Sequence, residues 1–275
     1  MDSVFAAAAI ISGLLAILIP ILFAYKYSKS KKLPLKIALL GALFFILVQV
    51  FHAPFVLFTQ SFIYYLFAPL GDLAAKLALA FYLGLMAALF EELARYLIFT
   101  KIMKERTLES AKLFGLGWGG VESIIFVGIL ATATIFVMDN FFATTDLATY
   151  NQTLISQGLT QEQAQQTIVQ LQAQKLQLEQ SNSFLPFLSL YERLLAIAFH
   201  VCASMLVMKS VIDKNFKGLM FALGAHFLLD FVAVVSLISG SAIVSEAALT
   251  LVVAGIVLFT VKTLGVKNSD VVSCA

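Results

Sequence analysis

The sequence predicts an all-α protein, a polytopic bundle of about seven transmembrane helices with the N-terminus outside and the C-terminus inside. Three observations support this prediction. Hydrophobic residues make up 61% of the 275 residues, and charged residues only 12%, about half the share found in soluble proteins. The apolar residues form seven long runs, and a cluster of basic residues lies at the end of every second run, beginning with the first.

Each apolar run is long enough to cross a bilayer, which takes about 20 residues of helix. The runs cover residues 3–25, 35–58, 73–99, 113–138, 184–208, 218–238 and 242–261. An aromatic-rich stretch at 60–71 follows the second run and is typical of a membrane interface. The chain is therefore predicted to be a multi-pass protein of the cell membrane, with lipids around its helices.

The direction of insertion is predicted from the lysines and arginines. They cluster at residues 26–36, 101–112, 209–217 and 262–267, which are alternate boundaries between the runs. Basic residues favour the cytoplasmic side of a membrane, so these boundaries are predicted to be cytoplasmic.

One long connection separates the fourth and fifth runs, at about 139–183, and is predicted to lie outside the cell. It contains eleven glutamines between Gln152 and Gln180, and Thr160 with Gln163 fits a helix capping box. The segment is predicted to be either a short amphipathic helix or a disordered loop. The remaining chain is interpreted as a single membrane-embedded domain, 1–275, that carries this insertion.

Composition also excludes several classes of function. The seven runs leave no room for a sizeable soluble catalytic domain, so any activity must lie among the helices. A net charge of +2 is too small to indicate a nucleic-acid partner. The two cysteines, Cys202 and Cys274, provide neither a disulfide framework nor a CxxC metal site.

Ionisable residues inside the apolar runs are the strongest functional signal, because a charge within a bilayer is costly and usually serves a function. The third to sixth runs carry most of them: Glu91, Glu92, Arg95, Glu122, Glu192, Arg193, His200, His226 and Asp230. His52 lies alone in the second run, and the sequence favours a structural or interfacial role for it.

Four of these residues are predicted to lie at the same depth. Glu91, Glu122, His200 and His226 are each nine or ten residues from a predicted cytoplasmic end, or roughly 13–15 Å at the rise of an α-helix. We therefore expect the four side chains to surround one cavity in the cytoplasmic half of the bilayer. Four glycines before Glu122, between Gly115 and Gly120, would allow neighbouring helices to approach closely.

A purely structural explanation remains open for each group taken alone. Glu91 with Arg95, and His226 with Asp230, have the i,i+4 spacing of ion pairs that would neutralise themselves within the bundle. Glu192 and Arg193 are predicted to lie near the outer face and to pair locally or with the long connection.

Carboxylates and imidazoles at one depth are also suited to hydrolysis. A buried carboxylate can act as a general base towards water, and imidazoles can share that water or stabilise an oxyanion. The same groups could bind Zn²⁺ through a glutamate and two histidines. The sequence has no HExxH motif to decide between the two chemistries.

Four segments in order resemble the YhfC family of intramembrane peptidases, which is related to the CAAX prenyl endopeptidases. They are FEELARY at 90–96, FGLGWGGVESI at 114–124, the stretch from Glu192 to His200, and AHFLLDF at 225–231. The resemblance covers most of the chain, from the second run to the seventh, but not the glutamine-rich connection.

The resemblance implies a role for each candidate residue. Glu91 would activate the water, with Glu92 and Arg95 supporting it. His226 and Asp230 would stabilise the oxyanion. His200 would be a further site histidine and Glu122 a further site carboxylate.

Two departures from the family pattern concern Trp118 and Arg95. Trp118 stands between the glycines where the family usually has histidine, and an indole can neither accept a proton nor bind a metal. The spacing of Arg95 differs by one residue from that in the related endopeptidases.

The sequence therefore predicts an intramembrane endopeptidase, of the glutamic or metallo type, that acts on membrane-associated peptides or proteins. Two alternatives stay open. One is a catalytically inactive scaffold or immunity-type protein of the same fold, in which the Trp118 substitution abolishes activity. The other is a proton-coupled transporter, although no repeat of the charged motifs occurs in the chain.

Overall fold

The computed structural model describes residues 2–238 and 240–265, and within them the chain is helical, with no strand. Lys267 and Cys274 lie outside the described residues. The α-helices are α1 Ser3–Lys31, α2 Lys36–Phe67, α3 Asp72–Lys101, α4 Leu108–Ser123, α5 Thr132–Thr144, α6 Leu147–Ser156, α7 Gln161–Glu179, α8 Leu185–Asp213, α9 Lys217–Leu237 and α10 Ala242–Leu264. A 3₁₀-helix, Ala68–Leu70, follows α2, and a π-helix, Ile124–Ala131, joins α4 to α5.

Seven helical segments of this part of the chain are long and apolar enough to cross a membrane, which confirms the predicted fold class. The second one is longer than predicted. It continues through the aromatic stretch as far as Leu70, because no residue there stops a helix before Pro69 and Gly71. The direction of insertion stays a prediction.

The chain divides into two compact units. The first contains the residues up to Ala16 together with Ile124–Leu190. The second contains Ile17–Ser123 together with the chain from Tyr191 onwards, and it carries every candidate site residue.

Local capping defines the helices of the first unit. Asp146 accepts hydrogen bonds from the backbone N–H groups of residues 148 and 149 at the start of α6. Thr160 and Gln163 form the capping box predicted for α7. Leu154, Ala164 and Ile168 form a small apolar core between α6 and α7. Whether this segment is an insertion into a single domain stays a prediction.

Close backbone contacts shape the second unit, as the glycine run predicts. A Cβ atom on Gly117 of α4 would overlap the carbonyl oxygen of Ala38 in α2. A Cβ atom on Gly115 would come within 2.7 Å of the carbonyl oxygen of His200 in α8. The glycines therefore let α4 lie directly against both α2 and α8, which confirms the predicted close approach.

The third helix is central to the site because α3 packs against both α2 and α9. The half of α3 that is predicted to lie towards the cytoplasm carries Glu91, Glu92 and Arg95, and all three are buried. With α4 against α2 and α8, this packing brings the polar residues of α3, α4, α8 and α9 together.

Candidate active site in the helix bundle

A cavity of about 90 Å³ lies among α3, α4, α8, α9 and α10 of the second unit. Its polar lining consists of Glu91, Glu122, Glu192, Arg193, His200, His226 and Asp230. The prediction that Glu91, Glu122, His200 and His226 surround one cavity is therefore confirmed. Their catalytic roles stay predictions.

Glu92 and Arg95 lie behind the cavity and are not exposed at all. Arg95 Nη1 donates to Glu92 Oε1, and His226 Nδ1 lies 2.7 Å from the same oxygen. The partner of Arg95 on α3 is thus Glu92 at i,i+3, whereas the structural alternative had paired it with Glu91. This contact links α3 to α9.

The contact of the second amino group of Arg95 determines which ring nitrogen of His200 carries the proton. Arg95 Nη2 lies 3.2 Å from His200 Nδ1, and a guanidinium group can only donate. His200 Nδ1 is therefore the acceptor, and the ring proton is on Nε2, which donates to Glu122 Oε2 over 2.6 Å. Both nitrogens of this neutral imidazole are thus occupied by protein groups.

Arg193 holds the opposite side of Glu122. Its Nη1 donates to Glu122 Oε1 over 2.6 Å, and its Nη2 donates to Glu192. The local pairing of Glu192 and Arg193 is confirmed, but both also line the cavity. Arg193 and His200 are seven residues apart and so share a helix face, a signal that could have placed Arg193 in the site.

Glu91 is held by two neutral donors. Gln49 Nε2 donates to Oε1, and Trp118 Nε1 donates to Oε2, each over 2.9 Å. The Trp118 ring is completely buried and also covers the guanidinium carbon of Arg95 at 4.5 Å from the ring centre. Sequence reasoning missed Gln49; its signal was an amide in an apolar run, one helical turn before His52.

His52 lies one contact further from the cavity. Its Nδ1 is 3.2 Å from Gln49 Oε1, and its ring packs against Phe90 with 5.1 Å between ring centres. Because Gln49 Nε2 donates to Glu91, Gln49 Oε1 is the acceptor from His52. His52 supports Gln49 and does not line the cavity.

Asp230 differs from the other acids of the cavity. Its Oδ2 lies 3.5 Å from His226 Nε2, which is longer than an ordinary hydrogen bond, and its side chain is 35% exposed. No other ion pair to Asp230 occurs within residues 2–238 and 240–265. Asp230 is one helical turn after His226, so both face the cavity from α9.

The arrangement of these groups does not fit a metal ion. Two guanidinium groups, Arg95 and Arg193, occupy oxygens of Glu92, Glu122 and Glu192 that a divalent cation would otherwise use. Both nitrogens of His200 and both oxygens of Glu122 already have protein partners. Within the part of the chain that the structure describes, no three His, Cys, Asp or Glu side chains are placed to hold a metal.

Comparison with known proteins gives two matches and one negative result. Residues 15–257 match a family model described as YhfC intramembrane metalloprotease. The chain is 26% identical over 231 residues to an uncharacterized membrane protein YhfC of Bacillus subtilis (strain 168), covering 82% of each chain. No solved structure matches.

Proposed function

Because the chain belongs to the YhfC family, we propose that it is an intramembrane endopeptidase that hydrolyses membrane-associated peptides or proteins. The observation that carries this proposal is the polar cavity inside the membrane-spanning helices. In the predicted topology the cavity lies in the cytoplasmic half of the bilayer and extends outwards as far as Arg193 and Glu192.

The cavity contains what peptide hydrolysis requires. At about 90 Å³ it has room for more than one water molecule. Its carboxylates can take a proton from water, and Arg193, together with His226 when its ring carries both protons, can face a developing oxyanion. The lining combines charged side chains of α3, α4, α8 and α9 with the apolar side chains of Leu195, Leu229 and Leu249, which suits a membrane peptide.

Glu92, Arg95, Glu122 and His200 form a connected hydrogen-bond network, which we call the buried frame. Arg95 joins Glu92 to His200, and Glu122 joins His200 to Arg193. Glu92 in turn fixes the ring of His226 through Nδ1 and so presents Nε2 towards Asp230. This frame holds the cavity groups in position and contributes to catalysis through them.

A catalytically inactive scaffold of the same fold is the second candidate. Trp118 favours it, because the indole on Glu91 Oε2 is donor-only and its ring leaves no space there for a second acid–base group. Such a protein would keep the fold and the cavity but would not turn over a substrate.

Proton-coupled transport, the third alternative, is disfavoured by the two arginines. The hydrogen-bonded chain from His226 to Glu192 passes through Arg95 and Arg193. A guanidinium group does not release its proton in proteins, so it interrupts a proton relay.

The test is cleavage by the purified protein in liposomes of a library of synthetic single-span peptides, with products identified by mass spectrometry. Ala233 lines the cavity, and Ala233→Phe would fill it without replacing a charged residue. Leu251→Phe, on a residue that is 75% exposed, is the matched control. We expect wild type and Leu251→Phe to cleave the same peptides and Ala233→Phe to cleave none.

Two outcomes would contradict the proposal. Wild-type protein that cleaves no peptide, although it melts cooperatively in detergent, would support the inactive scaffold. Cleavage that is unchanged in a folded Ala233→Phe variant would place the activity outside the cavity.

A further inference from the structure

The chemistry of Asp230 does not suit the role that the family resemblance implies for it. An oxyanion is stabilised by hydrogen-bond donors or positive charge. An ionised carboxylate has only acceptors and carries a negative charge, so it would repel an oxyanion. In its ionised form Asp230 is therefore suited to a different role in a hydrolytic site.

Asp230 is also the cavity carboxylate with the fewest contacts to protein donors. Glu91 accepts an N–H on each oxygen, from Gln49 and from Trp118. Glu122 and Glu192 are bonded to Arg193. For Asp230 the ion-pair contact is with His226 Nε2 at 3.5 Å, and this nitrogen donates only when the ring carries both protons. Its oxygens are thus the ones that cavity water can reach without displacing a protein hydrogen bond.

The neighbour of Asp230 is fixed independently of the substrate. His226 Nδ1 bonds to Glu92, which is itself bonded to Arg95, so the imidazole cannot turn. Its Nε2 therefore stays beside Asp230 on the cavity wall. A water there can contact a carboxylate oxygen, while a carbonyl oxygen can face Arg193 or His226.

We propose that Asp230 is the general base of this site and that Glu91 is an anchored positioning group; the inference rests on the proposed function. Asp230 takes a proton from water as the water oxygen bonds to the peptide carbonyl carbon. The C–N bond then breaks, and the Asp230 carboxylic acid returns the proton to the leaving amine. The products are an acid and an amine, and Asp230 is again a carboxylate.

Glu91 then acts through its neighbours. Its two hydrogen bonds tie α3 to Gln49 of α2 and Trp118 of α4 and so fix the part of the cavity wall that α3 forms. A glutamine at this position can still accept from Trp118, and its amide nitrogen can donate to Gln49 once the Gln49 amide has turned.

Isosteric variants distinguish the two carboxylates in the liposome assay. We expect Asp230→Asn to reduce kcat by at least about 100-fold, as expected for loss of a general base, with KM nearly unchanged. Asp230→Glu keeps the carboxylate and should recover part of the rate. Glu91→Gln should stay within about tenfold of wild type. A rate in Asp230→Asn close to that of wild type, or a larger loss in Glu91→Gln, would overturn the inference.

A second measurement does not depend on turnover. Dicyclohexylcarbodiimide is an apolar reagent that adds to protonated carboxyl groups, so it reports which cavity acid can accept a proton. We expect peptide mapping of the treated protein to find the adduct on Asp230 and its loss in Asp230→Asn. An adduct on Glu91 instead would overturn the assignment.

The two proposals fail in different ways. Absence of cleavage by wild type contradicts the peptidase, whatever the labelling shows. Cleavage by wild type together with an active Asp230→Asn variant contradicts only the assignment of the base.

Discussion

Polar groups are stabilised in different ways in the bundle around the cavity and in the helices α6 and α7. In the bundle Glu92 and Glu122 each have a partner on another helix: Glu92 bonds to a residue 134 positions away, and Glu122 to one 71 positions away. At the starts of α6 and α7 the partners of Asp146 and Thr160 are backbone N–H groups only two or three positions away. Buried charges thus depend on the whole bundle, whereas the helix caps depend only on local sequence.

The two regions should also lose different amounts of stability when a polar group loses its partner. A buried charge without its partner keeps its full desolvation cost, whereas a helix cap on the surface can be replaced by water. Changes around the cavity should therefore destabilise the bundle as a whole, and changes in the caps should act on one helix.

The largest effect is expected for Arg95→Leu. It leaves Glu92 buried without its guanidinium partner, which should lower the free energy of unfolding by about 3–5 kcal/mol. Denaturant titration in detergent measures this. The control, Lys209→Leu, breaks the exposed pair with Asp213 and should cost less than about 1 kcal/mol. Similar losses in the two variants would remove the distinction between buried and exposed charges.

Gly117→Ala should have the next largest effect. The added methyl group meets the backbone of Ala38, so α2 and α4 must separate, at a cost of about 1–3 kcal/mol. Gly224 in α9 has open space at the same position, and Gly224→Ala should be neutral or slightly stabilising. Thermal melting of the two variants side by side checks this, and an unchanged Gly117→Ala would argue against the close helix contact.

Thr160→Ala tests whether a helix cap affects only its own helix. It removes the capping box of α7 and should reduce the local stability of that helix by about 1 kcal/mol. Hydrogen exchange should speed up in α7 and stay the same in α3, α8 and α9. Faster exchange around the cavity would show that the two regions are coupled.

A smaller effect is expected from the titration of Asp146. Hydrogen bonds from Thr149 and from the backbone N–H groups of α6 lower the pKa of this carboxyl. A lowered pKa in the folded state stabilises the helix above the ordinary value of about 4, and the stabilisation is lost as the pH falls through the folded value. Amide exchange in α6 should therefore rise relative to α7 below about pH 4. Asp146→Asn, which still caps, should show no such dependence.

No effect on folding is expected from removal of zinc. Arg95 and Arg193 pair with Glu92, Glu122 and Glu192, and two N–H donors hold Glu91, so dialysis against a chelator should leave the melting temperature unchanged. Elemental analysis of the purified protein should find well under one zinc per chain. A full equivalent of zinc, with a lower melting temperature after its removal, would show that a metal and not the protein balances these charges.

The fold and the position of the site could be predicted from the sequence because both depend on simple counts. Apolar runs of about 20 residues indicate spans, and residues nine or ten positions from a basic end indicate one depth. Depth along a helix does not give the direction of a side chain, however. Glu91 and Glu92 are neighbours at the same depth, yet only Glu91 lines the cavity.

The pairing within the site could not be predicted because it depends on how the helices are rotated. The i,i+4 spacing predicts a pair of Arg95 with Glu91, whereas the structure pairs Arg95 with Glu92, and the packing of α3 against α9 brings His226 to the same carboxylate. Gln49 was missed since a neutral amide costs little in an apolar run and gives no charge signal. The position of Arg193 along α8 predicts a place near the outer face, but it does not show that the side chain points into the cavity.

The long sequence separation of the ion pairs also bears on biosynthesis. The α3 helix carries Glu92 as the counter-ion of its own Arg95, whereas α4 brings Glu122 into the membrane with its hydrogen-bonding partners still to be made. Arg193 follows 71 residues later and His200 follows 78 residues later. A lone carboxylate resists transfer into lipid, so α4 should remain beside the insertion machinery until α8 emerges from the ribosome. The order of synthesis would thus make α4 and α8 enter the bilayer as a pair.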